Sequence, residues 1–100
     1  MKFIVRYHIT DQDKYLPSVR QWLELSPEQR TKEPGQGITK IAHWQDVSGR
    51  RGVVIIECND PISVGRWFGR WNPYLDAEIT PVVDEAEATI IGQHIVADLG

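Results

Sequence analysis

The sequence predicts an α+β domain, one four-stranded antiparallel sheet with two helices on a single face, in the order β-α-β-β-α-β. Three observations predict it. Residues 3–10 and 74–83 alternate apolar and polar side chains with the period of two that a half-buried strand requires. Residues 38–58 hold two apolar runs split by Ser48-Gly49-Arg50-Arg51-Gly52, the mark of a hairpin. Helix-start chemistry after Asp11 and at Asp60-Pro61 separates these strands.

Taken in order, Phe3, Val5, Tyr7 and Ile9 point one way from the first strand, and Ile4, Arg6, His8 and Thr10 the other. Asp11-Gln12-Asp13 ends it. Tyr15, Leu16, Val19, Trp22 and Leu23 then form a helical stripe over residues 14–25, with Pro17 in the first turn. Ser26-Pro27-Glu28-Gln29 starts a second, short helix, Ser26 and Gln29 forming a capping box. Residues 31–37 are polar and glycine-rich, hence loop. Residues 38–47 make a strand of mixed pattern, paired through the hairpin with Val53-Val54-Ile55-Ile56-Glu57-Cys58. Asp60 caps a helix reaching about Trp71, with Val64, Trp67 or Phe68, and Trp71 inward; Asn72-Pro73 stops it. In the last strand Pro81 cannot donate to a ladder, which places it on an edge or at the strand's end. The tail is helical by its acidic start at residues 84–87 and the spacing of Ala86, Ile90, Ile91 and Ile95, although its β-branched content also allows a strand.

Composition narrows the classes. At 100 residues there is room for one domain, and 41% hydrophobic with 25% charged residues is that of a globular chain. A net charge of −3 argues against nucleic acid as a partner. The single cysteine, Cys58, excludes an internal disulfide and a cysteine-rich zinc site. No apolar run suits a membrane span and no leader pattern precedes the first strand, so a cytoplasmic location is expected.

The element order is that of the split βαβ, ferredoxin-like unit. Its first and third strands are central, the fourth lies beside the first, and both helices take one face. The other face would carry Ile4, Val53 and Ile55 uncovered, which predicts a homodimer through that face.

Met1-Lys2-Phe3, Ala42-His43-Trp44, Glu57-Cys58-Asn59-Asp60-Pro61, Trp67 with Trp71, and Glu78-Ile79-Thr80-Pro81-Val82-Val83 occur in this order in a bacterial family known only as a domain of unknown function. The chain resembles that family over residues 1–88, leaving residues 89–100 as a C-terminal extension. The resemblance implies the shape of the dimeric α/β-barrel superfamily. Its members include cofactor-independent quinol and polyketide monooxygenases, haem-degrading oxygenases, muconolactone isomerases and stress-responsive barrels. It thus implies a homodimer, and a pocket between helices and sheet or inside the barrel. It implies no reaction, because one fold hosts many. Haem-degrading members use an Asn, a Trp and a His; here the first strand holds Arg6 and His8 and no Asn.

Strand parity proposes a polar cluster. If Val5 and Tyr7 face the helices, Arg6 and His8 face away. So do Glu57, beside the inward Ile56 and Cys58, and Asp76 and Glu78, beside the inward Ala77 and Ile79. These groups form either cross-strand ion pairs, each contributing about 0.2–1 kcal/mol, or a ligand site. In the ligand site Arg6 holds an anion while Glu57 or Glu78 tunes proton exchange at His8. The tryptophans Trp22, Trp44, Trp67 and Trp71 are either core or the walls of a pocket for a flat ring. Candidate ligand-binding residues are therefore Arg6, His8, Trp44, Glu57, Trp67, Trp71 and Glu78, and candidate catalytic residues His8 and His43. The spacing of His8, His43 and His94 offers no metal site, and no cofactor is expected. Two functions follow. The first is a non-catalytic dimeric module for a small aromatic or anionic molecule or a protein partner. The second is a cofactor-independent monooxygenase or isomerase acting on an aromatic, quinone-like substrate.

Overall fold

The computed structural model describes residues 1–100. The elements are β1 (Lys2–His8), a 3-10 turn (Gln12–Lys14), α1 (Tyr15–Leu23), α2 (Pro27–Lys32), β2 (Ile38–Asp46), β3 (Arg51–Cys58), α3 (Pro61–Trp71), β4 (Asp76–Val82) and α4 (Glu85–Leu99). The sheet order is β2-β3-β1-β4 with every neighbouring pair antiparallel, which is the ferredoxin-like arrangement. Pro81 sits on β4, an edge strand.

Local chemistry sets the boundaries. The Ser26 hydroxyl accepts from the Gln29 amide while the Gln29 side chain accepts from the Ser26 amide, the reciprocal pair that starts α2. Asp60 caps α3 by accepting from the Ile62 amide, with Pro61 at the first helical position. The mixed pattern of β2 has a specific cause: the pairing with β3 shifts between Lys40 and Ala42. This bulge adds Ile41 as an extra residue, so Lys40 and His43 both face the helices. Arg50, at the hairpin tip, has φ 54°, a left-handed conformation. Two hydrogen bonds with Ile9 hold it there, from the Ile9 amide to the Arg50 carbonyl at 2.8 Å and from Arg50 Nε to the Ile9 carbonyl at 3.2 Å.

The core lies between the sheet and α3. Val5, Val54, Ile56, Cys58, Val64 and Trp67 are buried together, with Phe3, Ile38, Phe68 and Trp71 packed against them. Burying these six side chains is the main source of stability. On the opposite face Ile4, Val53 and Ile55 are only half-buried.

Residues 85–99 are helix, not strand. Asp84 and Glu87 form a second capping box at the start of α4. The helix runs unbroken through residues 88 and 89, so no break marks the boundary drawn there from sequence. No α4 residue is buried. The accessible surface is 7198 Å², whereas a folded monomer of 11.5 kDa exposes about 5,800 Å². The radius of gyration is 16.3 Å, against about 13 Å for a compact 100-residue domain. The chain carries surface that a self-contained fold of its size would bury. No helix is long and apolar enough to cross a membrane.

Candidate functional site

The helix-covered face holds a cleft of about 340 Å³, walled by α1, α3 and the inner side of the sheet. That volume lies at the lower end of the range for small-molecule sites, about 300–1,000 Å³. Trp22, Trp67, Phe68 and Trp71 supply aromatic walls, and Val19, Leu23 and Leu75 add aliphatic surface. Besides Tyr15, Ser18, Gln45, Asp46, Arg50 and Arg51, its polar lining holds Tyr7, His43, Lys40 and Glu33, the four that touch the aromatic walls or one another.

Each is held in place. Tyr7 Oη lies 2.6 Å from His43 Nε2, across the sheet. The phenol reaches that far because it passes over Gly52, where a β-carbon would meet the Tyr7 ring and hydroxyl. His43 also packs edge-on against Trp22, ring centres 6.1 Å apart. Lys40 Nζ and the Arg30 guanidinium lie 5.0 and 5.3 Å from the Trp22 ring centre, a cation on an aromatic face in each case. Glu33, just after α2, accepts the Trp67 indole N–H at 3.0 and 2.8 Å and the Trp71 indole N–H at 2.5 Å. Arg70 Nη2 donates to the Glu33 carbonyl at 2.8 Å, tying the same segment to α3. The indole edges that need partners when buried therefore find them on one carboxylate, which fixes the tilt of both rings.

Burial sets the protonation states. It raises the Tyr7 phenol to about 12, so Tyr7 stays protonated at neutral pH. Burial, then the neighbouring Lys40 charge, holds the His43 imidazole below its ordinary 6.5. Burial likewise lowers Lys40, partly offset by Glu33. At neutral pH the pair is thus a phenol donating to a neutral imidazole.

A pH dependence follows. An unfolded chain protonates His43 near pH 6.5 while the folded one resists, so below that pH the unfolded state binds more protons. His43 therefore costs no stability above 6.5 and a growing amount as pH falls through 6.5 toward its folded value. Melting temperature measured between pH 7.5 and 5.5 (about one unit either side of an ordinary histidine) should fall more in the wild type than in His43→Gln. Parallel curves would mean that His43 titrates as if exposed.

The residues expected at the site divide between two faces. Trp67, Trp71 and His43 meet in the cleft. Arg6, His8, Asp76, Glu78 and Trp44 border a shallow, open cavity on the other side of the sheet. The register pairs Arg6 with Glu78 and His8 with Asp76. Two corrections apply. Glu57 is opposite Lys2, at the far end of β1 from His8, so it joins neither group. The expected ion pairs at Arg6 do not form: the three salt bridges are Lys2–Asp84, Lys32–Glu28 and Arg51–Asp46. Trp44, beyond the bulge, faces away from the cleft and is 61% exposed. His8 likewise lies on the opposite side of the sheet from His43 and cannot share its chemistry.

Arg6→Ala should accordingly leave stability within about 0.5 kcal/mol of wild type, as for an exposed side chain without a partner. Urea unfolding checks it, and a loss of several kcal/mol would restore the ion-pair reading.

Sequence reasoning missed Tyr7, Glu33 and Lys40. Tyr7 and Lys40 both sit at inward parity, where a polar tip needs a partner. Glu33 lies in a polar loop and carries no signal until α3 folds over it.

The fold and cleft define a class: a small α+β domain of ferredoxin-like order, with an aromatic-walled cleft between helices and sheet. More narrowly, the chain belongs to the family DUF3303, a domain of unknown function, which matches residues 1–95. The match runs beyond residue 88 to include most of α4. No curated protein matches the chain.

Proposed function

We propose that this protein is a cytoplasmic homodimeric binding module without a cofactor, taking a small aromatic molecule with one hydroxyl, carbonyl or carboxylate group. The observation that carries this reading is the cleft itself. Its aromatic walls suit a flat ring, and Tyr7, His43 and Lys40 offer one donor-acceptor pair and one cation to orient a single polar substituent. The homodimer forms through the open sheet face, supported by the half-buried Ile4, Val53 and Ile55 and by the excess accessible surface. Nucleic acid and membranes are not partners in this reading.

The test is an NMR titration with naphthalene, 2-naphthol and 2-naphthoic acid, which share a ring and differ in the polar group. The indole signals of Trp22, Trp67 and Trp71 should shift, more strongly with naphthol or naphthoate than with naphthalene. Shifts confined to Trp44, or none at millimolar ligand, would overturn the reading.

One observation favours the alternative, a cofactor-independent monooxygenase or isomerase. The neutral His43 imidazole accepts from the Tyr7 phenol at 2.6 Å beside an apolar cleft, so a substrate proton can reach it by relay through that phenol. Oxygen uptake with a hydroquinone, abolished in His43→Gln, would move the conclusion to catalysis.

A further inference from the structure

Two apolar surfaces of this molecule lack a cover: the open face of the sheet, and α4. They adjoin. Lys2 stands on β1 with the outward parity of Ile4 and Arg6, and its Nζ lies 3.7 Å from Asp84 Oδ2, at the first residue before α4. The helix therefore starts beside the open side of the sheet. Its length is about 22 Å at 1.5 Å per residue, and Ile91, Ile95 and Leu99 recur every fourth residue along one side. These three are 45%, 51% and 85% exposed, and Ile90 and Val96 are exposed beside them.

Alone such a helix is a poor one. A 15-residue helix is marginal in water, and Gly92 with Thr89, Ile90, Ile91, Ile95 and Val96 lowers its propensity further. It needs a surface to lie on, and its own body does not supply one. We propose that α4 is an exchanged arm, packing its Ile91–Ile95–Leu99 side on a second copy of this chain, so that both copies bound the open-face cavity of Arg6, His8, Asp76 and Glu78. This rests on the homodimer proposed above.

Area points to a second copy. The accessible surface of 7198 Å² exceeds that of a folded monomer of this mass by about 1,400 Å². Homodimers that never separate bury about 1,000–2,500 Å² per partner. The sheet face alone, four strands of seven to nine residues, has a footprint of only about 450 Å², so the helix is needed to make up the interface. A two-fold axis uses each of these surfaces twice, helix on sheet and sheet on helix.

Hydrogen exchange by mass spectrometry and light scattering on the full chain test the arm, with Ile95→Glu as the variant. The wild type should be a dimer whose α4 amides exchange about 100-fold more slowly than those of the variant. The variant's dimer should dissociate about 10- to 100-fold more readily, with its circular dichroism otherwise kept. A dimer with unprotected α4 amides, and a variant of unchanged mass, would overturn the arm and leave the dimer standing. A monomeric wild type would overturn both, and a monomer with protected α4 amides would mean that the helix folds back on its own body.

Discussion

Trp67→Ala should lower the unfolding free energy by about 3–5 kcal/mol, the cost of truncating a large buried aromatic. Trp67 is 5% exposed and packs with Val5, Val54, Ile56, Cys58 and Val64, the centre of the core. It also packs on Phe68, ring centres 4.5 Å apart. Its loss leaves a cavity under α3 and removes two of the three indole hydrogen bonds received by Glu33. A single domain has about 5–15 kcal/mol in all, so the variant should sit near the edge of folding. Trp67→Phe separates the contributions, because it keeps much of the ring and removes only the N–H, at about 1–3 kcal/mol. Urea unfolding measures both. A loss below about 1 kcal/mol in the alanine variant would mean that the cleft wall is not anchored through this residue.

Ile55→Glu should turn the proposed homodimer into a monomer. Ile55 pairs with Ile4 on one side and Ala42 on the other, in the middle of the open face. A carboxylate there must either leave the interface or be buried without a partner, a cost of several kcal/mol. The dissociation constant should rise by at least about 100-fold. The outward position leaves the core of Val5, Val54 and Ile56 untouched, so circular dichroism should be unchanged. Light scattering reads the mass. A variant that remains dimeric would place the interface elsewhere.

The sheet was legible because strand alternation is local information. Phe3 to Ile9 and Val54 to Cys58 each declare their buried side from sequence alone, and that is enough to pair two central strands and put both helices on one face. Capping chemistry is equally local. Ser26 with Gln29, Asp60 with Pro61, and Asp84 with Glu87 mark helix starts through contacts spanning three residues or fewer.

Register and bulges are not local, and there the site was decided. Glu57 has the outward parity of His8, yet antiparallel pairing carries it to Lys2, because parity gives the side of a sheet and says nothing of position along it. One inserted residue, Ile41, sends His43 into the cleft and Trp44 out of it. Glu33 becomes the acceptor for Trp67 and Trp71 only when residues 34 and 38 positions apart are folded together. The amino-acid sequence by itself determined the element order, the faces of β1 and β3 and most of the core. Only the tertiary structure decided which polar groups share a cavity, because that depends on pairing register and on contacts between residues far apart in the chain.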